Sequence, residues 1–407
     1  MGATTLERVE SFVPERSVRI EELGEHLGLR RAELGVFRKF YGLDTLRFDP
    51  GMDLFDLLLP AAKRALAALP AGRRIDRLVF AHTTQALAPA DVDIAQELAR
   101  RLGLVDVEAF ALSHQACVSS LGAIDVAAEL LRAEGKTGGY ALMVTGERAF
   151  SPIVQLIPNT AIMADAASAC LLTVDGDGDV VHSFVTKTLG EYAEWLALTP
   201  EQNTEFGQLY GPRLAEVILA AVAEAGCGFD DIDLVIPHNV NALAWRQTVK
   251  ALEAPPEKFF LENIPKLSHC FSSDVFLNYT TLRENGRLVD GARYVLVTVG
   301  LGATFGAMVI THRTRGAGHD GPRRGGVGDR GRARDVLERE ITGLTEDTRL
   351  FDDLRLDSSK VLELLMLVEM AVGITVDPDD LDIDHLRTVR SFADYVESRQ
   401  AIGEGVA

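Results

Sequence analysis

Two patterns of hydrophobic and polar residues alternate along most of the chain. Between residues 73 and 310, short runs rich in β-branched residues are separated by longer stretches whose apolar positions recur with helical spacing. This alternation is typical of an α/β domain. The predicted strands are 77–81, 140–145, 169–174, 234–236 and 294–299, and the predicted helices are 91–102, 119–134, 212–224 and 242–252.

The alternation stops near residue 313. Seven of the eighteen residues from 314 to 331 are glycine and almost none is apolar, so this stretch cannot bury enough surface to offset its ordering entropy. We therefore expect a flexible linker at 313–331 and a second domain at 332–407. That domain has nine Lys and Arg against eighteen Asp and Glu, which predicts a small, acidic, all-α bundle. Its helical patterns lie at 333–341, 358–370 and 389–398.

Charge and composition exclude several classes of function. Of the 407 residues, 60 are acidic and 41 are basic, which gives a formal charge of −19. A nucleic-acid-binding protein needs clustered Lys and Arg to neutralise phosphates, so we expect no nucleic-acid partner. The apolar runs are of strand length and the start of the sequence lacks a basic-then-apolar leader. We therefore expect a cytoplasmic protein without a membrane span.

The four cysteines are too widely spaced for a disulfide framework or a metal site, so no metal is expected. One of them lies where a nucleophile is expected: Cys117 follows the small polar loop 113–116 and begins a helical pattern that ends near Gly135. The unpaired N–H groups at a helix N-terminus favour a thiolate over a thiol. The alternative is a buried cysteine that packs as a small apolar side chain.

The second domain contains a motif that resembles the attachment site of acyl carrier proteins. Asp357 and Ser358 precede an acidic helical pattern, and Glu363 follows five residues after the serine. The alternative is that the Asp-Ser pair is only a helix N-cap. The segments on either side also resemble carrier proteins, whereas Ser359 stands where carriers usually have leucine. The resemblance implies that a phosphopantetheinyl transferase attaches 4'-phosphopantetheine covalently to Ser358.

The first domain resembles the ketoacyl-ACP synthase III family, whose members have the thiolase fold. The resemblance is carried by the loop, cysteine and helix at 111–135 and by the glycine turn at 300–306. Residues 160–169 are similar to the family's Asp-Gly-Ala segment, with alanine in place of the glycine. The resemblance extends over most of residues 1–312 and implies that Cys117 is the nucleophile.

The same resemblance implies the organisation of this domain and its further site residues. It predicts a duplicated, layered α/β/α/β/α fold with halves at about 1–180 and 181–312. The family's Pro-His-x-x-Asn motif is matched at His238, which implies that this histidine is catalytic. The third catalytic residue of the family is an asparagine, and alignment on Lys266 places His269 at that position.

The histidine in place of the asparagine leaves two interpretations open. Cys117, His238 and His269 match the Cys-His-His set of elongating ketosynthases, in which two N–H donors stabilise the enolate formed by decarboxylation. Alternatively, Asp274 orients a histidine, an arrangement that resembles the acyl-transferring branch of the same fold. In both cases the resemblance implies that the backbone N–H groups of Cys117 and Leu301 hold the oxyanion of the tetrahedral intermediate.

The resemblance as a whole implies an acyl-thioester condensing enzyme. Cys117 is acylated, and a decarboxylative Claisen condensation follows with a malonyl-type extender on a carrier, for which Ser358 is a candidate. The product is a β-ketoacyl thioester in a specialised biosynthetic pathway. One alternative is a non-decarboxylating acyltransferase that passes the acyl group to a carrier, amine or hydroxyl, and another is a non-catalytic scaffold that presents the carrier.

The resemblance also implies the partners of the protein. The acyl donor is bound to a carrier or to CoA. The stretch 36–43 lacks the tryptophan with which CoA-using family members grip the nucleotide, although Arg38 and Lys39 lie there, and this favours carrier-bound donors. A homodimer formed through the first domain is expected.

Overall fold

The structure is a computed structural model, and it describes residues 2–135, 138–194, 197–314, 346–350, 358–372, 376 and 381–404. The strands are β1 (Thr4–Phe12), β2 (Ser17–Arg19), β3 (Thr45–Arg47), β4 (Ile75–Ala81), β5 (Glu108–Leu112), β6 (Tyr140–Glu147), β7 (Leu156–Ile157), β8 (Ala161–Ile162), β9 (Ala166–Val174), β10 (Asp179–Thr188), β11 (Leu234–Pro237), β12 (Arg293–Gly300) and β13 (Thr304–Thr311). The helices are α1 (Gly24–Leu27), α2 (Arg31–Lys39), α3 (Leu54–Leu66), α4 (Ile94–Arg101), α5 (Ser119–Ala133), α6 (Pro152–Gln155), α7 (Pro200–Glu224), α8 (Ala242–Ala251), α9 (Ile264–Leu267), α10 (Asp274–Glu284), α11 (Ser358–Val372) and α12 (Val389–Glu404).

The large sheet consists of two halves with the same strand order. Its strands lie side by side in the order β11-β12-β13-β10-β1-β9-β6-β4-β5. Outward from β1, the first half has the order β1-β9-β6-β4-β5. These are its first, fifth, fourth, second and third strands along the chain. Counted from β10, the second half repeats this order, with a single bridge between Val235 and Phe259 in place of its third strand. The halves meet where residues 4–6 of β1 pair with residues 179–181 of β10.

The layers follow from the alternation of side chains along each strand. On β12, Tyr294 and Leu296 belong to the core around the central helices α5 and α10, whereas Val295 and Val297 belong to the core beneath α7 and α8. In the first half, β4 contributes Leu78 to a third core with α3 and α4. The duplicated α/β/α/β/α fold predicted from the sequence is therefore confirmed.

The two central helices begin at the same end of the molecule. The Ser120 hydroxyl, near the start of α5, donates a hydrogen bond of 2.9 Å to the carbonyl of Ser272, just before the start of α10. Because the functional residues predicted from the sequence precede or begin these helices, the duplication brings Cys117 and Asp274 to one place.

The main difference from the predicted elements is the length of α7. The helix begins at Pro200 rather than at residue 212, because Thr199 caps it and exchanges hydrogen bonds with Gln202. Pro212 lies inside the helix, whereas a proline in a sequence is more often taken for a first helical residue. The hydrophobic pattern also does not predict strands β1 and β10, because charged and polar residues interrupt their apolar positions.

The second domain is described through α11, α12 and the short segment 346–350. Arg349 forms an isolated β-bridge with Thr388, which ties this segment to the start of α12. The predicted helices 358–370 and 389–398 lie within α11 and α12. The predicted helix 333–341 and linker residues 315–331 lie outside the described residues. The buried apolar side chains of this domain include Leu350, Val361, Leu362, Leu365, Leu386 and Phe392.

Candidate active site

A pocket opens beside Cys117 at the end of the molecule where the central helices begin. Its wall is mostly apolar and aromatic, with a few polar groups from the catalytic candidates, as is usual for a small-molecule site. The lining residues are Cys117, Ile157, Thr160, Tyr192, Leu198, Phe206, Tyr210, His238, Val240, His269, Val299, Gly300, Leu301, Gly302 and Ala303.

Cys117 lies in a single 3₁₀ turn, Ala116–Val118, that precedes α5. The turn is sharp, because Ala116 has a φ of 48°, which is in the left-handed region. The turn packs tightly on the start of the β12–β13 connection, since a Cβ atom at Gly300 would lie 2.1 Å from the carbonyl oxygen of Gln115. Glycine at position 300 therefore permits the close approach that fixes the cysteine.

His269 and Asp274 form a short buried hydrogen bond. Nδ1 of His269 lies 2.5 Å from Oδ2 of Asp274, and both side chains are almost completely buried. The other ring nitrogen, Nε2, faces the sulfur of Cys117 at 3.8 Å. Cysteine, histidine and aspartate thus lie in one row of contacts, an arrangement in which a histidine can exchange a proton with a thiol or a substrate.

The Asp274 carboxylate is fixed by further donors. The backbone N–H of Cys270 donates to Oδ1 at 2.7 Å, and the backbone N–H of Asn239 donates to Oδ2 at 2.6 Å. Asn239 is held in turn by Asn278, whose amide donates to its side-chain oxygen at 2.8 Å. A buried carboxylate requires such partners, and here they aim it at His269.

The charge state of His269 follows from its neighbours. Burial alone lowers the pKa of this imidazole, but the Asp274 carboxylate and the Cys117 sulfur outweigh burial and raise the pKa to about 10. His269 is therefore an imidazolium at neutral pH. A positive charge at this position stabilises a negative sulfur beside it.

His238 lies at the end of β11 and faces the same pocket. Its ring centroid is 5.8 Å from that of His269, and its carbonyl accepts a hydrogen bond of 2.9 Å from the Trp245 indole N–H. Burial, followed by the charge on His269, lowers the pKa of His238 well below its ordinary value. The two histidines of the pocket therefore carry different charges, since His238 is neutral.

Tyr210 is a pocket residue that the sequence analysis does not single out. Its hydroxyl lies 3.0 Å from Nε2 of His238. Burial and the charge on Cys117 raise the pKa of this phenol, so it stays protonated. No motif marks the tyrosine in the sequence, and it lies before Pro212, where the predicted helix begins.

Thr83 and Glu147 support Cys117 from the first half of the domain. The Thr83 hydroxyl donates to the Cys117 sulfur at 3.5 Å. The backbone N–H groups of Thr83 and Thr84 donate to the carboxylate of Glu147, which is fully buried. Burial raises the pKa of Glu147 to about 6, despite these hydrogen bonds. The carboxylate thereby holds the loop that contacts Cys117.

Two further predicted site residues are located as follows. Leu301 lines the pocket, and its N–H as an oxyanion donor stays a prediction. Ser358 is the first residue of α11, and its side chain lies outside the described residues. Within the described ranges, no cluster of three or more His, Cys, Asp or Glu residues could hold a metal ion. In the same ranges no helix is long and apolar enough to span a membrane.

Two family models match the chain. The model described as 3-Oxoacyl-[acyl-carrier-protein (ACP)] synthase III C terminal matches residues 222–312, which include His238, His269 and Asp274. The model described as Phosphopantetheine attachment site matches residues 330–396, which include Ser358. The chain joins a ketoacyl-ACP synthase III-like domain to a phosphopantetheine attachment domain. The predicted fusion is therefore confirmed, and 4'-phosphopantetheine is the covalent cofactor of the second domain.

The similarity of the synthase III-like domain extends well beyond the matched model. The beta-ketoacyl-[acyl-carrier-protein] synthase III of Lactobacillus delbrueckii subsp. bulgaricus is 27% identical over 290 residues, which are 66% of this chain and 88% of the relative. Most of the first domain is therefore similar in sequence to an enzyme.

Solved structures show the same fold. The structure described as the acyltransferase ChlB3 has a TM-score of 0.66 at 23% identity, and covers 77% of this chain and 98% of its own. FabH, the 3-oxoacyl-(acyl carrier protein) synthase III of Pseudomonas aeruginosa PAO1, has a TM-score of 0.64 at 21% identity, with coverage of 77% and 99%. These likenesses establish the thiolase-like fold of the first domain.

Proposed function

We propose that the chain is an acyltransferase that moves an acyl group from a thioester to a nucleophilic acceptor through Cys117, without decarboxylation. The observation that carries this proposal is the row of contacts from Cys117 through His269 to Asp274, with distances of 3.8 and 2.5 Å. The acyltransferase named among the similar structures and the synthase named among the relatives support a transferase with a thioester donor.

In the first half-reaction the Cys117 sulfur attacks the carbonyl carbon of the donor thioester. The oxyanion that forms lies within reach of the backbone N–H groups proposed at Cys117 and Leu301. The donor C–S bond then breaks, and the leaving thiolate takes the proton from His269. The imidazolium state of His269 suits this step, because it stabilises the attacking sulfur and supplies the proton for the leaving group.

In the second half-reaction the acceptor attacks the acyl-cysteine, and His269 takes its proton. Acylation removes the negative charge from the Cys117 sulfur, which is one of the causes of the raised pKa of His269. Its loss lowers the pKa of His269, so the imidazole that gave its proton to the leaving thiolate stays neutral and is free to take the proton of the acceptor. Asp274 keeps Nε2 directed at the pocket throughout. The amide of an asparagine could not perform this proton transfer.

The second domain fits the same chemistry. Ser358, as the first residue of α11, has the helix-N-terminal position at which a phosphodiester is favoured. Once a phosphopantetheinyl transferase has attached it, 4'-phosphopantetheine supplies a thiol that carries an acyl group as a thioester. The proposed donors are acyl groups bound to a carrier or to CoA.

Decarboxylative condensation is the second candidate, and one observation favours it. Two imidazoles line the pocket of Cys117 with their ring centroids 5.8 Å apart, as a Cys-His-His condensing site requires. In this reaction the malonyl-type extender loses CO2, and its enolate attacks the acyl-cysteine to give a β-ketoacyl thioester. The present hydrogen bond of His238 to Tyr210 occupies one of the two nitrogens that this reaction needs.

The two functions are separated by measuring CO2 and the product together. The full-length protein is acylated at Cys117 with an acyl-N-acetylcysteamine thioester and is then given malonyl-loaded carrier or a non-malonyl acceptor thiol. The proposal predicts that the acyl group leaves Cys117 for the acceptor without CO2 release. Stoichiometric CO2 with a β-ketoacyl product would instead establish condensation. The variant Cys227→Ala is a matched control, because Cys227 is not among the residues that line the pocket.

The fusion to a carrier also supports a role in a specialised biosynthetic pathway and, from the family resemblance, a homodimer formed through the first domain. Sedimentation of the full chain tests the dimer. A scaffold without catalysis is the remaining alternative, and it requires that Cys117→Ala leaves the pathway product unchanged while Ser358→Ala abolishes it.

A further inference from the structure

Helices α2 and α11 belong to different domains and pack against each other. The guanidinium of Arg30, just before α2, donates to the carboxylate of Glu363 at 3.0 Å, and these residues are 333 positions apart. At the other end of the contact, the Lys39 ammonium pairs with the Glu369 carboxylate. The helices run in the same direction, because the earlier residue of one pairs with the earlier residue of the other and the later with the later.

Between the two ion pairs the helices approach closely at a glycine. A Cβ atom at Gly35 would lie 2.9 Å from the terminal methyl carbon of Met366. Glycine inside a helix costs about 0.5–1 kcal/mol relative to alanine. At this position the missing side chain admits the methionine of α11.

The contact residues of α11 form a stripe along one face. Glu363, Met366 and Glu369 are spaced by three positions, so they follow one another along the helix surface. The facing residues Arg30 and Lys39 have the opposite charge. An apolar centre between complementary charges is the usual organisation of a specific interface.

Burial shows that the stripe is covered rather than merely adjacent. Glu363 is 7% exposed, and Val361 and Leu365 on the same helix are buried as well. A carboxylate is seldom buried without a partner. In this case the partner is Arg30 of the other domain.

A third contact lies beside the first two and near the pocket. The Lys250 ammonium at the end of α8 lies 3.0 Å from the Asp382 carboxylate of the second domain. The chain that leaves α2 is bonded to the start of α8, because the N–H of Ala242 donates to the carbonyl of Tyr41 at 2.9 Å. Val240, two residues earlier, lines the pocket. The contact surface therefore adjoins the segment that carries His238.

We propose that Arg30, Gly35 and Lys39 form a docking surface for the chain's own attachment domain, which is recognised through the stripe on α11. This inference rests on the proposed function, because it names the chain's own attachment domain as the carrier that serves the Cys117 site. Docking of a tethered domain is intramolecular, so its effective concentration is on the order of millimolar. The attachment domain would thus engage its own synthase III-like domain in preference to free carriers.

The test uses the full chain and needs no substrate. Small-angle scattering gives the radius of gyration, and amide hydrogen exchange gives the protection of α2. The variant Arg30→Glu should enlarge the radius and speed exchange in the part of α2 that faces α11 by about tenfold or more, given the energies of close charge pairs. Arg30→Glu also removes the hydrogen bond of 3.0 Å from the Arg30 side chain to Glu33 at the start of α2. The charge exchange below does not restore that local bond, so it separates undocking from a local effect on α2.

Two further variants make the result specific. Arg38→Glu is the matched control, because Arg38 stands on the same helix but pairs with Glu21 and Asp44 of its own domain, and it should leave both readouts unchanged. The exchange of charges in Arg30→Glu with Glu363→Arg should restore the compact state.

The inference is overturned if Arg30→Glu changes neither readout, or if the charge exchange fails to restore what Arg30→Glu removes. Its failure is distinct from failure of the proposed function. A chain that does not dock but still transfers acyl groups from small thioesters overturns only the docking surface. A chain that docks but never acylates Cys117 overturns only the proposed function.

Discussion

Nδ1 of His269 lies 2.5 Å from a carboxylate oxygen of Asp274, and both side chains are buried. This contact distinguishes the site from one in which the same position is an asparagine, because an imidazole bonded to a carboxylate can take and release a proton at its second nitrogen. That nitrogen faces Cys117. The proposed transfer chemistry follows from this arrangement.

The ion pair should make stability depend on pH in a particular window. The pKa of His269 is about 10 in the folded chain and about 6.5 for an unperturbed histidine. The protonated imidazole therefore stabilises the fold fully below pH 6.5, and this contribution declines as the pH rises to 10. Urea unfolding of the wild type and of Asp274→Asn should show a stability difference that shrinks over this range. A difference that is constant from pH 6 to pH 10 would contradict the assignment.

Replacing the base by an amide should separate the two reactions. His269→Asn supplies an N–H donor but no proton acceptor, so transfer to an acceptor should fall by about 10²-fold or more, as expected for loss of a general base. Any CO2 release from a malonyl thioester should be affected less, because decarboxylation requires only donors. The ratio of transferred acyl groups to CO2 measures this change. An unchanged ratio would count against His269 as the base.

The Tyr210 hydroxyl should act through His238, because it holds the ring of His238 in the wall of the pocket where the acceptor must bind. Tyr210→Phe removes one hydrogen bond to Nε2, and we expect the second half-reaction to slow by about 3- to 10-fold, which corresponds to the net value of one hydrogen bond. Acylation of Cys117 should change less. Single-turnover kinetics of each half-reaction measure both effects. Tyr294→Phe is a suitable control, because that hydroxyl accepts a hydrogen bond from the Val289 N–H away from the pocket.

Gly300 should control the position of the nucleophile without touching it chemically. In Gly300→Ala the added methyl group meets the carbonyl of Gln115, so we expect a loss of about 1–3 kcal/mol of stability, typical of overpacking, together with slower acylation of Cys117. Gly207→Ala is the control, since a Cβ atom there meets nothing within 4 Å. Thermal unfolding and intact-mass kinetics give the two quantities. Equal behaviour of the two variants would contradict the packing argument.

The sequence predicts where Cys117 and His238 lie, because each stands at a junction between a strand or loop and a helix. Cys117 precedes α5 and His238 follows β11, and such junctions are visible in the hydrophobic pattern. The sequence does not decide whether His269 or Asp274 is the third catalytic residue. The structure shows that the two act on each other, a relationship that spacing alone does not reveal.

Other features are invisible in the sequence because they depend on contacts between distant segments. Tyr210 reaches His238 only because α7 extends back to Pro200. Glu147 supports the site by holding Thr83, 64 residues away in sequence. The contact between Arg30 and Glu363 joins residues whose charges look like ordinary solvated side chains when each is considered alone.

The central claim is that Cys117, His269 and Asp274 act as one unit, and the rate of Cys117 acylation tests it most directly. The rate is measured by quenched intact-mass analysis with a small acyl thioester in His269→Gln, in Asp274→Asn and in the double variant. Residues that act as a unit are not additive, so we predict losses of about 10²- to 10⁴-fold for each single variant and no further loss in the double variant. Multiplied losses, or an unchanged rate in Asp274→Asn, would contradict the account.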